Sequence, residues 1–154
     1  MQMQQKMRVE KQVMSKARWL YVILGLVIMM ALGTVYSWSV FRLPVEVLYD
    51  VGTAQSGLPY MTALLFYSLF MFLTGRFFKD WSPRKTILTG TLLVSVGWIL
   101  SAFAPNIQTL TVAYGVISGA GVGIAYGAPL TVVTRWFPEK KGIVIGLVLL
   151  GFGL

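Results

Sequence analysis

A run of glycines at four-residue spacing, set in a long stretch without charged residues, most constrains how this chain can fold. Gly115, Gly119, Gly123 and Gly127 recur within residues 107–134, and on a helix they form one slowly drifting face without side chains. In a soluble helix each glycine costs about 1 kcal/mol relative to alanine, whereas in lipid small residues let helix backbones pack closely. The pattern therefore predicts a membrane helix whose four glycines pack against a partner helix.

The glycine-bearing stretch ends in the sequence RWFPEKK at residues 135–141. Aromatic side chains, a helix-ending proline and clustered charges are typical of a membrane interface. A dinucleotide-binding loop is the alternative, since Gly119, Gly121 and Gly123 give G-x-G-x-G. We reject it because the third glycine is misplaced for that fingerprint and no strand-like run precedes it.

The composition also favours a membrane protein. Of the 154 residues, 56% are hydrophobic and only 12% are charged, against about 25% charged residues in soluble domains. The chain has no Cys and no His, so disulfides, thiolate metal sites and the commonest acid–base side chain are not available. We therefore expect no enzyme activity, no metal and no cofactor.

Uncharged stretches predict four complete membrane helices and the beginning of a fifth. The first, residues 19–41, measures about 34 Å as a helix and can cross a hydrocarbon core of about 30 Å. The other predicted spans are residues 58–75, 86–104, 107–134 and, incomplete, 142–154, with a polar connector over residues 42–57. The predicted fold class is an all-α, polytopic membrane helix bundle.

Two alternatives concern the ends of the chain. A cleaved signal peptide does not suit the first stretch, because the apolar run exceeds the usual length of about 7 to 15 residues and lacks a small-x-small cleavage pattern. Residues 142–154 reach only about 20 Å as a helix, too short to cross the core. We therefore expect a fragment, with a truncated gene product as the alternative.

The basic residues sort by side of the membrane. Of 13 Lys and Arg, five lie in the amino-terminal segment 1–18, four between the second and third stretches, and three after the fourth, whereas the opposite side has only Arg42. The positive-inside rule then predicts a multi-pass protein of the cell (inner or plasma) membrane with a cytoplasmic amino terminus. Topology thus explains the net charge of +8, and the expected partner is the lipid bilayer, not nucleic acid.

No Asp, Glu, Lys or Arg lies within the four complete predicted spans, so they offer aromatic and hydroxyl groups instead. Tyr36 and Trp38 lie in the outer half of the first stretch and Tyr126 lies well inside the fourth. A tyrosine ring can pack on a flat organic anion and donate its hydroxyl to a carboxylate. The alternatives, which stay open, are an interfacial belt position for Trp38 and purely structural tyrosines.

The sequence GAGVGIAYG, followed by RWFPEKKG and KKGIVIGLVLLGFGL, resembles the oxalate/formate antiporter branch of the major facilitator superfamily. The resemblance implies four and a half helices of a 12-helix transporter, most of its amino-terminal six-helix half over residues 19–154. It implies exchange of small organic anions such as oxalate, formate or lactate by alternating access, together with a missing carboxy-terminal half that holds the main cationic residues.

The link at residues 75–85 is similar to the superfamily signature G-x-x-x-D-R-x-G-x-[RK]-[RK] between the second and third spans. The resemblance implies a gating loop with Gly75, Asp80, Arg84 and Lys85. The signature's Asp position holds Lys79 here, and the acid is displaced by one residue, about 100° around a helix. A plain solvated anchor remains the alternative.

By resemblance, the tyrosines of the anion cage fall on Tyr36 and Tyr126, and a fifth-span Tyr falls on Phe152; Trp38 completes the expected substrate-binding set. A family Gln falls on Val35, which implies a less polar pocket, suited to a monocarboxylate at least as well as to oxalate. An Arg tied to proton coupling falls on Gly115. The competing hypothesis is a non-transporting membrane protein whose glycines serve oligomerisation, and a soluble enzyme is a more distant alternative.

Overall fold

The structure, a computed structural model, describes residues 2–78 and 80–153, with side chains from Arg18 onward within those ranges. The basic side chains before Arg18 lie outside the described residues. So does Lys79, which was predicted to take the Asp position of the superfamily signature. All regular elements described are helical, which confirms the all-α prediction. They are α1 (Gln2–Gly33), α2 (Trp38–Tyr49), α3 (Thr53–Ser56), α4 (Leu58–Phe77), α5 (Pro83–Ala102), α6 (Ile107–Leu110), α7 (Gly119–Trp136) and α8 (Lys141–Gly153).

Among the residues that the structure describes, four helical segments are long and apolar enough to cross a membrane, as predicted. They are span 1 (Arg18–Tyr49), span 2 (Thr53–Phe77), span 3 (Pro83–Ala102) and span 4 (Ile107–Trp136). Span 1 contains a 3-10 turn at Thr34–Ser37, and span 4 contains a π-helical segment at Thr111–Ser118. Such irregular turns inside a helix often mark functional positions. The short apolar helix α8 follows span 4.

Span 1 continues beyond its predicted end at residue 41. The helix α2 runs to Tyr49 and contains Pro44, so residues 42–49 are helical and not a connector. The charge of Arg42 suggested an end, but its Nε lies 3.3 Å from the Glu46 carboxylate one turn later. An i,i+4 pair of this kind supports the helix, which ends where Asp50 adopts a left-handed conformation with φ of 50°.

The chain divides into two compact units, Leu32–Ala128 and the remainder, formed by residues up to Ala31 and from Pro129 onward. In the first, span 4 packs against span 2 through its glycines. A methyl group placed at Gly115 lies 2.7 Å from Cβ of Thr62, and one at Gly119 lies 2.6 Å from the carbonyl oxygen of Ala63. These contacts require residues without side chains.

A second close contact, with span 3, was not predicted from the sequence. A methyl group at Gly121 lies 2.6 Å from the carbonyl oxygen of Gly90, and one at Gly97 lies 2.8 Å from the amide nitrogen of Ser118. Gly121 lies on another face of span 4 from the glycines at four-residue spacing. Span 4 therefore uses two faces for backbone contact, one towards span 2 and one towards span 3. Its π-helical segment contributes Tyr114 to the buried core.

Gly127, predicted as the fourth packing glycine, departs from this pattern. A methyl group there meets no described atom within 4 Å, and the residue is exposed. The helical period explains this difference. Four residues exceed one turn of 3.6 residues, so each glycine is rotated by about 40° around the helix axis from the glycine before it. After three such steps, the glycine series has drifted away from span 2.

In the other unit, the end of span 4 packs against the start of span 1. Arg18 Nε donates to the carbonyl oxygen of Trp136 at 2.7 Å, its guanidinium pairs with the Glu139 carboxylate, and it lies 4.4 Å above the Phe137 ring. The Glu139 carboxylate also accepts from its own backbone amide, and this bond together with Arg18 lowers its pKa. The predicted interfacial link is therefore a bonded aromatic and charged cluster.

Candidate functional site

Four tyrosines from three spans form the candidate site in the unit Leu32–Ala128, and we call them the tyrosine cluster. They are Tyr36 of span 1, Tyr60 and Tyr67 of span 2, and Tyr126 of span 4. The rings of Tyr67 and Tyr126 meet edge to face, with centroids 5.4 Å apart and planes at 71°. Tyr36 lies within electrostatic range of Tyr60, Tyr67 and Tyr126.

Sequence reasoning singled out Tyr36 and Tyr126 but missed the contribution of span 2. Tyr60 and Tyr67 are seven residues apart, a spacing that places two side chains on nearly the same face of a helix. That spacing was the available signal, but an apolar membrane helix gives no sign of which face meets span 4. The glycines do give it, because Gly123 lies against the backbone of Tyr67.

The 3-10 turn at Thr34–Ser37 carries Tyr36, which is 45% exposed in the described chain. The turn is held on both sides, since Ser37 Oγ donates to the carbonyl oxygen of Thr34 at 2.6 Å and the Tyr114 hydroxyl donates to that of Val35 at 2.9 Å. Val35 is buried. The arrangement fixes the backbone under Tyr36 and leaves its ring exposed.

Trp38, predicted to contact substrate or to belong to an interfacial belt, is only 5% exposed. Its indole Nε1 donates to the carbonyl oxygen of Ser56 at 3.0 Å, and its ring lies 4.6 Å from that of Tyr114. Within this unit Trp38 therefore lies behind the 3-10 turn, where it ties span 1 to the start of span 2 and to span 4.

Phe152, the fourth predicted substrate-binding residue, lies on α8 in the other unit. Its side chain is buried among the described residues. The neighbouring Gly151 lies against the backbone of Leu26, and this close approach fixes that turn of α8 against α1.

The part of span 1 beyond its predicted end at residue 41 carries two charged side chains, Arg42 and Glu46. Arg42 Nε donates to Glu46 Oε1 at 3.3 Å and to Ser56 Oγ at 3.3 Å. The fully buried Ser56 hydroxyl in turn donates to Glu46 Oε1 at 2.6 Å and contacts the carbonyl oxygen of Thr53 at 2.9 Å. This network ties the Tyr49 end of span 1 to the beginning of span 2.

The predicted gating loop forms the link between spans 2 and 3. Asp80 and Arg84 are exposed and make no ion pair with any residue that the structure describes. Lys85 Nζ lies 4.2 Å above the Trp81 ring, and its amide donates to Ser82 Oγ, which caps span 3. A methyl group at Gly75 would meet no described atom within 4 Å.

The chemistry that this site offers is that of phenol groups. A tyrosine presents an apolar ring together with one hydroxyl that both donates and accepts. A cluster of four therefore suits a small ligand that has a flat or apolar part and an oxygen acceptor, such as a carboxylate. The described charged residues of the same unit lie towards the ends of the spans: Arg42, Glu46, Asp50, Arg76, Asp80, Arg84 and Lys85.

Comparisons with known proteins agree on one family. The model of the Major Facilitator Superfamily matches residues 20–154. The chain is 30% identical over 138 residues to the oxalate:formate antiporter of Oxalobacter formigenes, which covers 89% of this chain and 33% of that protein. It is 38% identical over 79 residues to monocarboxylate transporter 14 of Mus musculus, covering 51% of this chain and 15% of that protein.

A third relative is apicoplast pyruvate carrier 1 of Toxoplasma gondii. It is 42% identical over 76 residues, which cover 49% of this chain and 14% of the carrier. The chain thus spans about a third of the length of the antiporter and less of the other two.

Proposed function

This chain belongs to the major facilitator superfamily, and from that premise we propose that it forms the substrate-contacting amino-terminal part of a secondary transporter of small carboxylate anions. Members of this superfamily are membrane transporters, not enzymes. The tyrosine cluster is the observation that carries the proposal, because it gathers four phenol groups from three spans of one unit. The names of the relatives, which include oxalate, formate, monocarboxylates and pyruvate, support the same chemical class.

The proposed contacts with the anion are made by Tyr36 and Tyr126, whose hydroxyls donate to carboxylate oxygens while their rings cover its apolar part. Phe152, which resemblance assigns to the substrate, lies buried in the other unit and stays a prediction. Trp38 is assigned a supporting role, since its indole N–H is already used by Ser56. A site of phenols, with Val35 buried, favours a monocarboxylate such as lactate at least as much as oxalate.

In the proposed mechanism the anion binds between this part and the remaining spans, which supply the cations. Access alternates as the two parts rock about the site, with exchange of one anion for another as the expected mode. The cytoplasmic amino terminus and cell membrane location follow from the distribution of Lys and Arg. The loop with Gly75, Asp80, Arg84 and Lys85 is proposed to stabilise one state of the cytoplasmic gate.

The test is uptake of labelled oxalate, formate and lactate into proteoliposomes that contain the full-length transporter carrying this chain, with and without unlabelled anion inside. We expect uptake of at least one of the three, accelerated by internal anion. The 154-residue chain alone is the matched control and should give none, because one part cannot form a cleft with two alternating openings. Absence of uptake of all three by a folded full-length protein would contradict the proposed substrate class.

A further inference from the structure

We propose that Tyr67 is a positioning residue, which directs the hydroxyl of Tyr126 towards the anion and so sets the selectivity of the site. This inference rests on the proposed function, because it assigns a role within the same site. Tyr67 belongs to span 2 and was not among the residues predicted from the sequence. Two observations support the inference, the fixed backbone and the fixed rings, and a hydrogen bond between the two hydroxyls is the step that we infer from them.

The backbone of Tyr67 is fixed next to span 4. Its carbonyl oxygen lies against Gly123, and the amide nitrogen of Met71, one turn later, is only 2.9 Å from a methyl group placed at Gly123. Tyr126 follows Gly123 by three residues, which brings it to the same side of the helix. The glycine contact therefore sets the distance between the two tyrosines, and neither helix can move apart without losing its closest packing.

The rings are fixed as well. Their edge-to-face geometry, with centroids 5.4 Å apart and planes at 71°, lies within the range preferred by aromatic pairs. This contact limits rotation of the Tyr126 ring about its own side-chain bonds. The position of its hydroxyl oxygen is then defined by Tyr67 on one side and by its own helix on the other.

The hydroxyls complete the arrangement. With the two rings held edge to face, the Tyr67 hydroxyl lies near that of Tyr126 and is inferred to donate to it, and a phenol that accepts a hydrogen bond still has its own proton to donate. With Tyr67 donating to Tyr126, the Tyr126 proton remains for a carboxylate oxygen. A donor that also accepts a hydrogen bond is polarised and donates more strongly. A single donor with a fixed direction favours one planar carboxylate at one position.

The substitution Tyr67→Phe keeps the ring and removes the hydroxyl. In full-length proteoliposomes we expect the half-saturating concentration of the transported carboxylate to rise about five- to tenfold, as for loss of about 1 kcal/mol of binding, while the maximal rate changes little. The expected coupling is strong, so Tyr126→Phe and the double variant should behave alike. Tyr49→Phe is the matched control, because the Tyr49 hydroxyl donates to the carbonyl oxygen of Ala104 at 2.8 Å, outside the cluster.

Additive effects of the two substitutions, or an unchanged half-saturating concentration in Tyr67→Phe, would overturn the proposal. A second measurement does not depend on transport: 3-fluorotyrosine placed at position 126 should show a fluorine resonance that moves in Tyr67→Phe and stays in Tyr49→Phe. If the wild-type protein transports no carboxylate, the proposed function and the selectivity role both fail, and this resonance alone decides whether Tyr67 orients Tyr126. An unmoved resonance would refute the positioning itself.

Discussion

The packing of span 4 on span 2 gives a prediction with a built-in control in one helix. Gly119→Ala places a methyl group 2.6 Å from the carbonyl oxygen and 2.9 Å from Cα of Ala63. Both are backbone atoms, so no side-chain rotation relieves the contact, and real Cβ atoms essentially never come within 3.0 Å of such neighbours. The two helices must separate locally, which weakens the neighbouring contacts at Gly115 and Gly123.

The expected cost follows from comparison with Gly127→Ala. Both substitutions gain helix propensity of up to about 1 kcal/mol, but only Gly119→Ala adds overpacking, which costs about 1–3 kcal/mol. At Gly127 the new methyl group meets no described atom within 4 Å. The difference in the free energy of unfolding between the variants should therefore be about 1–3 kcal/mol, with Gly127→Ala equal to or more stable than the wild type.

The measurement is reversible unfolding of the purified protein in mixed micelles with increasing dodecyl sulfate, followed by tryptophan fluorescence. Gly119→Ala should shift the midpoint to lower dodecyl sulfate, and Gly127→Ala should not. Equal midpoints for the two variants would refute the close backbone approach at Gly119. A lower midpoint for Gly127→Ala alone would mean that the glycine series packs at its other end.

Three further predictions concern charged and hydroxyl groups. Ser56→Ala removes the buried hydroxyl that bonds to Glu46, and should lower the free energy of unfolding by about 1 kcal/mol per hydrogen bond lost, measured by the same titration. The folded-state pKa of Glu139 is lowered by its own backbone amide and by Arg18. The ionised carboxylate therefore stabilises the folded protein above the ordinary pKa of 4.5, and this contribution is lost as the pH falls through the lowered pKa. Melting temperatures measured below pH 4.5 should fall in the wild type, and Glu139→Gln should abolish this dependence on pH. Asp80→Asn should slow transport in the full-length protein if Asp80 stabilises the gate, and an unchanged rate at normal expression would contradict that role.

The membrane spans were predictable because their signal is local. Lipid requires about 20 apolar residues per helix and paired backbone groups, and an uncharged stretch reports this directly. Spans 3 and 4 begin and end within three residues of the predicted limits, whereas span 2 ends two residues after its predicted limit and begins five residues before it, at Thr53. The end of span 1 was missed because a charge inside a helix and a charge after a helix look the same in sequence. Only the structure shows that Glu46 and Ser56 bind Arg42 and allow the helix to continue.

The tyrosine cluster was only half predictable, because it depends on which faces of two helices meet. Tyr36 and Tyr126 were predicted from the phenol groups of uncharged spans and from resemblance, whereas Tyr67 had only its seven-residue spacing from Tyr60, which does not say which face of span 2 meets span 4. For Trp38 the sequence suggested an exposed role, at a membrane interface or in contact with substrate. The structure instead buries its side chain against Tyr114. Burial of an aromatic side chain depends on its partners, and these lie far away in sequence.

Gly123 affects both the packing of span 4 on span 2 and the proposed binding site, so the two effects must be tested at other residues. Gly123 lies against the backbone of Tyr67, so any side chain there displaces the tyrosine that we place beside Tyr126. A defect in transport caused by a substitution at Gly123 would therefore not separate loss of stability from loss of positioning. A methyl group at Gly119 meets the backbone of Ala63, so this position reports on packing, whereas Tyr67→Phe leaves the backbone contact intact and reports on the hydroxyl. The close approach of spans 2 and 4 fixes the geometry of Tyr67 and Tyr126. A ligand-binding role for these two tyrosines therefore requires a residue without a side chain at Gly123.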